Sequence, residues 1–244
     1  MPPGQQPTAS HTGLFAGKSV SAPPNRCSSW YERQGLQAGF QCIAGVDEVG
    51  RGALFGPVLA AAVILDPAAR LRGIQDSKRL PARERERLAV VIRQRALAWS
   101  IARVEAGEID RINIYQASRL AMKQAVLGLQ PAPELVLVDA LRLDLAQSQI
   151  PIIHGDARSI SIAAASILAK VERDRLMQEW DRVYPEYQLA RHKGYATAAH
   201  RALLREFGPT PEHRRSYAPV AAAAEQFAGG ASSLLALPRP HAEP

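Results

Sequence analysis

Apolar residues gather along this chain in two kinds of run. Short stretches at 42–48, 57–65, 97–104, 135–138 and 150–153 are rich in Val, Ile, Leu and Ala. Each is bounded by glycine, proline or polar residues, which predicts strands. Other stretches space their apolar positions at helical intervals. PARERERLAVVIRQRA at 81–96 opens on Pro81, tolerated in a first turn because its missing N–H has no intrahelical partner there. Residues 108–129 place Ile112, Leu120, Val126 and Leu127 along a second helix, and 160–183 and 197–207 read as two more. Three leading strands, followed by strands alternating with helices, predict an α/β protein with a mixed sheet flanked by helices.

The ends break this pattern. Residues 1–38 set Pro2, Pro3, Pro7, Pro23 and Pro24 among Gly, Ser and Gln, show no apolar period, and are expected to form a disordered leader. Residues 225–244 are rich in Gly, Ser, Ala and Pro and are expected to be a flexible tail, leaving 39–224 as the folded body. The chain of 244 residues is long enough to bury a core, and its 47% apolar and 22% charged content excludes global disorder. The longest uncharged apolar run, 52–65, has 14 residues, short of the roughly 20 that a membrane helix needs. No apolar signal segment follows the two early basic residues Lys18 and Arg26, so a cytoplasmic location is expected. Cys27 and Cys42 form neither a disulfide framework nor a CxxC metal pair. The net charge of +7 points to a polyanionic partner. That charge belongs to the body, where 41–224 holds 26 Lys and Arg against 20 Asp and Glu.

Against this basic background, three apolar runs end in or lead into acid: Asp47 and Glu48 close the first, Asp139 follows the fourth, and Asp156 follows the fifth. Converging carboxylates repel one another unless protons or cations compensate. Oxygen donors without Cys or paired His suit Mg²⁺ or Mn²⁺, and such a cluster could hold two ions about 4 Å apart for phosphoryl transfer. Read singly, each acid is more readily a solvated strand end or helix cap, and the three occurrences together balance the two readings. Asp174, in KVERDR at 170–175, reads as one member of an i,i+4 ion network on a polar helix face. Gly50-Arg51-Gly52 would let backbone N–H groups and a guanidinium approach phosphate or sugar, although a short turn with a solvated Arg reads slightly better from these residues alone; it is no Walker loop. Residues 187–220 interleave Arg191, His192, Lys193, Arg201, Arg205, Arg214 and Arg215 with Tyr187, Tyr195 and Tyr217. This pattern can neutralise phosphates and stack a ring on a base or sugar, although a solvated basic face competes with it. The small residues of IAAASILAK at 162–170 are expected to allow close helix–sheet packing.

AGVDEVGRG, DSK at 76–78, LVD at 137–139, GD followed by SIAAASILAKVERDRLM, YPEYQLARHKGY and HRRSYAPV resemble, in that order, the bacterial ribonuclease HII family across 42–220. The resemblance implies a ribonuclease H-like five-stranded sheet with a C-terminal helical subdomain, and makes 39–224 the catalytic domain. It implies a metal-dependent endoribonuclease that cleaves the RNA strand of RNA–DNA hybrids. It also implies incision 5′ of single ribonucleotides in duplex DNA, leaving 3′-hydroxyl and 5′-phosphate ends. Asp47, Glu48, Asp139 and Asp156 match the family's metal carboxylates. Gly50, Arg51 and Gly52 match the loop that recognises the ribose 2′-hydroxyl, and Tyr195, beside Lys193, matches the tyrosine that packs on the neighbouring deoxyribose. A 2′-hydroxyl is the group that separates RNA from DNA. Mg²⁺ or Mn²⁺ is the implied cofactor, and a monomer without membrane attachment is expected. Ala140-Leu141-Arg142 and His154 depart from the residues usual there. The sister ribonuclease HIII family carries an N-terminal substrate-binding domain, for which the leader is too short; Arg51 between two glycines also favours HII.

Overall fold

The computed structural model describes residues 24–69, 71, 73–75 and 77–229. Strands β1 (Ile43–Val49), β2 (Val58–Leu65), β3 (Ala96–Val104), β4 (Leu135–Asp139) and β5 (Ser148–Ile152) form one sheet in the order β3-β2-β1-β4-β5. β1 pairs antiparallel with β2 and parallel with β4, so the sheet is mixed as expected. The three central strands are covered on both faces, which is why their sequences run apolar without alternation.

Helix α3 (Ala106–Leu127) covers one face, where Ala117, Ala121 and Met122 share a core with Val46, Ala60 and Ala62. Helices α2 (Ala82–Arg95) and α4 (Ile160–Val183) cover the other, packing Leu88, Ile92 and Ile167 with Ala61 and Val63. α4 lies hard against β1: a Cβ added at Gly45 would sit 2.2 Å from the Ser161 carbonyl carbon. The small, fully buried Ala163, Ala164 and Ala165 allow that approach, as the sequence of this helix suggests.

The expected C-terminal helical subdomain comprises α5 (Leu189–His192), α6 (Ala198–Phe207) and α7 (Ala218–Gly229). Its core joins Leu54 and Phe55 to Met177, Tyr187, Leu204 and Val220. Backbone bridges Ala53↔Tyr195 and Phe55↔His213 stitch the loop after β1 to this subdomain. Asp110 ties α3 to it as well, accepting from Arg215 N at 2.8 Å and from Ser216 N at 2.9 Å.

Several expectations need correction. The leader is not without structure throughout: Trp30–Gln37 forms helix α1. Its Glu32 Oε1 accepts from Ser159 Oγ at 2.6 Å and Ser161 N at 3.0 Å, contacts far away in sequence that no local period announces. The tail begins later than 225, since α7 continues to Gly229; alanine's high helix propensity supports it. Residues 1–23 and 230–244 lie outside the described residues. The expected helix at 108–129 starts at Ala106 and is broken at Asn113 (φ 67), whose Oδ1 accepts from the N–H groups of Tyr115 and Gln116 and so caps the second segment.

Candidate active site

The parallel pairing of β1 with β4 aligns Val46 with Val138 and so sets Asp47 and Glu48 beside Asp139 at the same end of the sheet. One carboxylate oxygen from each of Asp47, Glu48 and Asp139 lies within 4.8 Å of the other two. Asp47 and Glu48 lie within the last three positions of β1, and Asp139 is the last residue of β4. Asp156 differs. β5 stops at Ile152, His154 turns left-handed (φ 55), and Asp156 follows in a short 3-10 turn over Gly155–Ala157. It is buried next to the cluster and paired with Lys78 Nζ at 3.1 Å, an ion pair the sequence did not announce. The preceding Gly155 N donates to Asp139 Oδ1 at 2.6 Å and so orients that carboxylate. Asp76 of the DSK stretch lies outside the described residues.

Electrostatics set this cluster apart from ordinary strand ends. Burial, and then the charges of Glu48 and Asp139, hold the Asp47 carboxyl well above its usual value. Burial also raises Glu48, opposed by the Arg51 guanidinium, and raises Asp139, opposed by the Gly155 N–H. Glu48 Oε2 is buried with no hydrogen-bond partner. Crowded acids with an unsatisfied buried oxygen are a donor set that a hard divalent cation would complete. The residues present therefore fit such an ion, held by Asp47, Glu48 and Asp139 with Asp156 adjacent.

The glycine turn follows directly. Gly50 has φ 94, a left-handed value natural to glycine, and a Cβ there would meet the Arg173 guanidinium at 2.8 Å. Arg51 is exposed, with Nη1 3.3 Å from Glu48 Oε1. A Cβ at Gly52 would enter open space, so no packing demands glycine there. Tyr195 is half-buried, and the Arg173 guanidinium carbon lies over its ring at 5.6 Å from the centroid. Lys193, also half-buried, takes a left-handed turn (φ 53) between α5 and Tyr195. Leu54 N donates to Gly194 O at 2.8 Å, so the turn and the tyrosine segment are fastened by backbone.

Two fully buried arginines complete this fastening, and neither stood out in the sequence as structural. Arg173 donates to the carbonyls of Pro57 (2.5 Å), Phe55 (3.1 Å) and Lys193 (3.1 Å), and burial pushes it down to about 10. Arg214 donates to Gly56 O at 2.9 Å and Arg51 O at 3.0 Å; Tyr217 Oη donates to the same Arg51 carbonyl at 2.5 Å. His192, His200 and His213 are also buried. The basic stretch at 187–220 thus spends part of its charge inside, leaving Arg191, Arg201, Arg205 and Arg215 outward. Asp174 pairs with Lys170 at 2.5 Å, the i,i+4 contact its spacing suggests, and with Arg85 of α2 at 3.6 Å.

A mixed sheet of this order with carboxylates gathered at one end defines a hydrolase of the ribonuclease H-like fold. The family model described as ribonuclease HII matches residues 44–220. The chain belongs to the ribonuclease HII family. It is 58% identical over 195 residues to the ribonuclease HII of Koribacter versatilis, covering 80% of this chain and 77% of that one. It is 57% identical over 197 residues to that of Solibacter usitatus, covering 81% and 86%. The crystal structure of ribonuclease H2 from Pyrococcus horikoshii OT3 superposes with a TM-score of 0.67 at 26% identity, covering 77% of this chain and 99% of that one. The ribonuclease HII in a PCNA complex from Archaeoglobus fulgidus gives 0.60 at 26% identity, covering 71% and 92%. Among the described residues no helix is long and apolar enough to cross a membrane, and Cys27 and Cys42 are free thiols.

Proposed function

We propose that the chain hydrolyses the RNA strand of RNA–DNA hybrids and incises duplex DNA 5′ of a single embedded ribonucleotide, leaving 3′-hydroxyl and 5′-phosphate ends. The observation that carries this reading is the crowding of Asp47, Glu48 and Asp139 within 4.8 Å in a chain of net charge +7. Mg²⁺ or Mn²⁺, with two ions at turnover, would offset this repulsion and supply an activated water and charge stabilisation at the leaving oxygen. Asp47, Glu48 and Asp139 would hold the ions. Asp156, beside them, would serve with Lys78 at the cluster's edge.

The remaining residues select and orient. The exposed Arg51 and the open space at Gly52 let a sugar–phosphate backbone come within reach of backbone N–H groups, where a 2′-hydroxyl can be read. Tyr195, backed by Arg173, offers a ring for the adjoining deoxyribose, and Lys193 a charge for its phosphate. The outward Arg191, Arg201, Arg205 and Arg215 provide sequence-independent docking.

The test incubates purified protein with duplex DNA holding one ribonucleotide, and separately with an RNA–DNA hybrid, in Mg²⁺, Mn²⁺ or EDTA. A cut mapped 5′ of the ribonucleotide is expected with either metal and none in EDTA. Asp139→Asn should nearly abolish cleavage while binding persists in Ca²⁺. Cleavage by Asp139→Asn at the parental rate would refute the assignment.

A further inference from the structure

Behind Tyr195 three buried histidines stand in mutual contact, and the chemistry proposed above uses none of them. His200 Nε2 lies 3.2 Å from His213 Nε2. His200 Nδ1 lies 3.0 Å from the Tyr195 carbonyl oxygen. His213 Nδ1 lies 3.1 Å from Thr210 N and 2.9 Å from Thr210 Oγ1, and the ring of His192 stacks on that of His200 at 4.2 Å.

The partners at the two ends dictate where the protons sit. The Thr210 backbone N–H can only donate, and the Thr210 hydroxyl is able to donate beside it, so His213 Nδ1 is bare and its proton is on Nε2. The Tyr195 carbonyl can only accept, so His200 carries its proton on Nδ1 and leaves Nε2 bare. The two facing Nε2 atoms are therefore one donor and one acceptor, as 3.2 Å requires. The relay runs in one direction, from Thr210 through His213 and His200 to Tyr195. Its free end supports the Tyr195 carbonyl, which also accepts from Thr197 N at 2.8 Å. His192 is fixed alike: Nε2 lies 2.7 Å from the Tyr187 carbonyl and Nδ1 accepts from Gly194 N. A second proton on His200 would put two N–H groups face to face.

We propose that His200, held in its Nδ1–H tautomer by His213, is a positioning residue that sets Tyr195 for discrimination between an embedded ribonucleotide and a continuous RNA strand. The inference rests on the reading of Tyr195 given above. Burial, and then His192, holds His200 down at about 4, and burial, and then His200, holds His213 down at about 3. Both imidazoles are thus neutral where nucleases work, as the hydrogen-bond directions demand.

Two isosteric changes separate the ends of the relay. Asn places its amide near the His Nδ1 position and keeps the donor toward Tyr195, whereas Gln reaches the Nε2 position and keeps only the contact with His213. The readout is the ratio of kcat/KM on single-ribonucleotide duplex to that on an RNA–DNA hybrid, for the parent, His200→Asn, His200→Gln and Tyr195→Ala. His200→Gln should lower the ratio about tenfold, on the scale of one buried hydrogen bond left unmade, while His200→Asn stays near the parent. A purely structural role would lower both activities in both variants and leave the ratio alone, and that result would overturn the proposal. If Tyr195→Ala lowers the ratio but His200→Gln does not, the relay proposal fails and the reading of Tyr195 stands. If Tyr195→Ala leaves the ratio unchanged, that reading fails and takes this proposal with it. A measurement independent of the variants' folding is the ¹⁵N spectrum of histidine-labelled parent at neutral pH. Protonated Nδ1 on His200 and protonated Nε2 on His213 are expected, and the reverse pattern would overturn the relay.

Discussion

Replacing Asp47 by Asn should make the metal-free protein more stable, the opposite of what substituting a buried residue usually does. Asp47 is 5% exposed and has two carboxylates as neighbours, with ligand oxygens within 4.8 Å of one another. At that separation and an effective dielectric near 20, each like-charge pair costs about 3 kcal/mol. Asn removes two such repulsions but weakens the hydrogen bond to Ser166 and buries an amide, each costing about 1–2 kcal/mol. A net gain of about 2–4 kcal/mol is expected where the Asp47 carboxyl of the parent is ionised, or a rise of roughly 4–16 °C in Tm for a domain of this size. Because the Asp47 carboxyl is raised in the folded state, the parent regains stability as pH falls below that raised value, where the carboxyl is protonated. The advantage of Asn should therefore shrink on acidification. The assay is thermal unfolding in EDTA at several pH values, repeated with millimolar Mg²⁺ or Mn²⁺. Metal should raise the parent's midpoint and leave that of Asp47→Asn nearly unmoved. A less stable Asp47→Asn at pH 8, or equal stabilisation of both proteins by metal, would refute the electrostatic account of the cluster.

The histidines predict the opposite sign. Their folded-state values are lowered, so stability is complete above about 6.5 and is lost as pH falls toward about 4. His200 alone accounts for about 3 kcal/mol of that loss. Urea unfolding from pH 7 to pH 4 should therefore be flatter for His200→Asn than for the parent, and parallel curves would count against it. Gly45→Ala should cost about 3 kcal/mol or prevent folding, because its Cβ would meet the α4 backbone at 2.2 Å. Gly52→Ala, whose Cβ meets nothing within 4 Å, should unfold within about 0.5 kcal/mol of the parent yet raise KM for the single-ribonucleotide duplex. An unchanged KM would remove Gly52 from the binding surface.

The acid cluster was legible because β1 and β4 announce themselves as apolar runs that end in acid, and parallel pairing then brings the ends together. Asp156 reads as a strand end, but the left-handed His154 follows β5 and Asp156 itself sits in a 3-10 turn, which leaves no period. The two buried arginines were illegible for a different reason. Whether an arginine faces water or a ring of carbonyls depends on partners far along the chain; Arg214 to Arg51 spans 163 positions and Arg173 to Pro57 spans 116. Arg214 accordingly reads as a phosphate contact, and KVERDR, which holds Arg173, as a polar helix face. α1 was hidden likewise, since its Glu32 finds Ser159 and Ser161 only in the folded state.

These arginines explain how one site can join two structurally unlike halves. The acids ride on central strands packed on both faces, so their positions follow from the sheet. The Gly50–Gly52 turn and Tyr195 ride on irregular segments, where position is not given by a ladder. Buried guanidiniums supply it: Arg173 and Arg214 between them grip the carbonyls of Arg51, Phe55, Gly56, Pro57 and Lys193. A planar fork with several donors can hold carbonyls from different segments at once, which a lysine cannot reproduce. The grip also explains Gly50, because any side chain there would enter the space of the Arg173 guanidinium. The positive charge of this chain therefore has two separate uses, an outer layer that can meet phosphate and an inner pair that fastens the turn to the tyrosine. Screening by salt should weaken the first and leave the second nearly untouched, since buried charges are screened far less than exposed ones. Raising ionic strength should consequently raise KM on every substrate while the preference between an embedded ribonucleotide and a hybrid stays nearly constant.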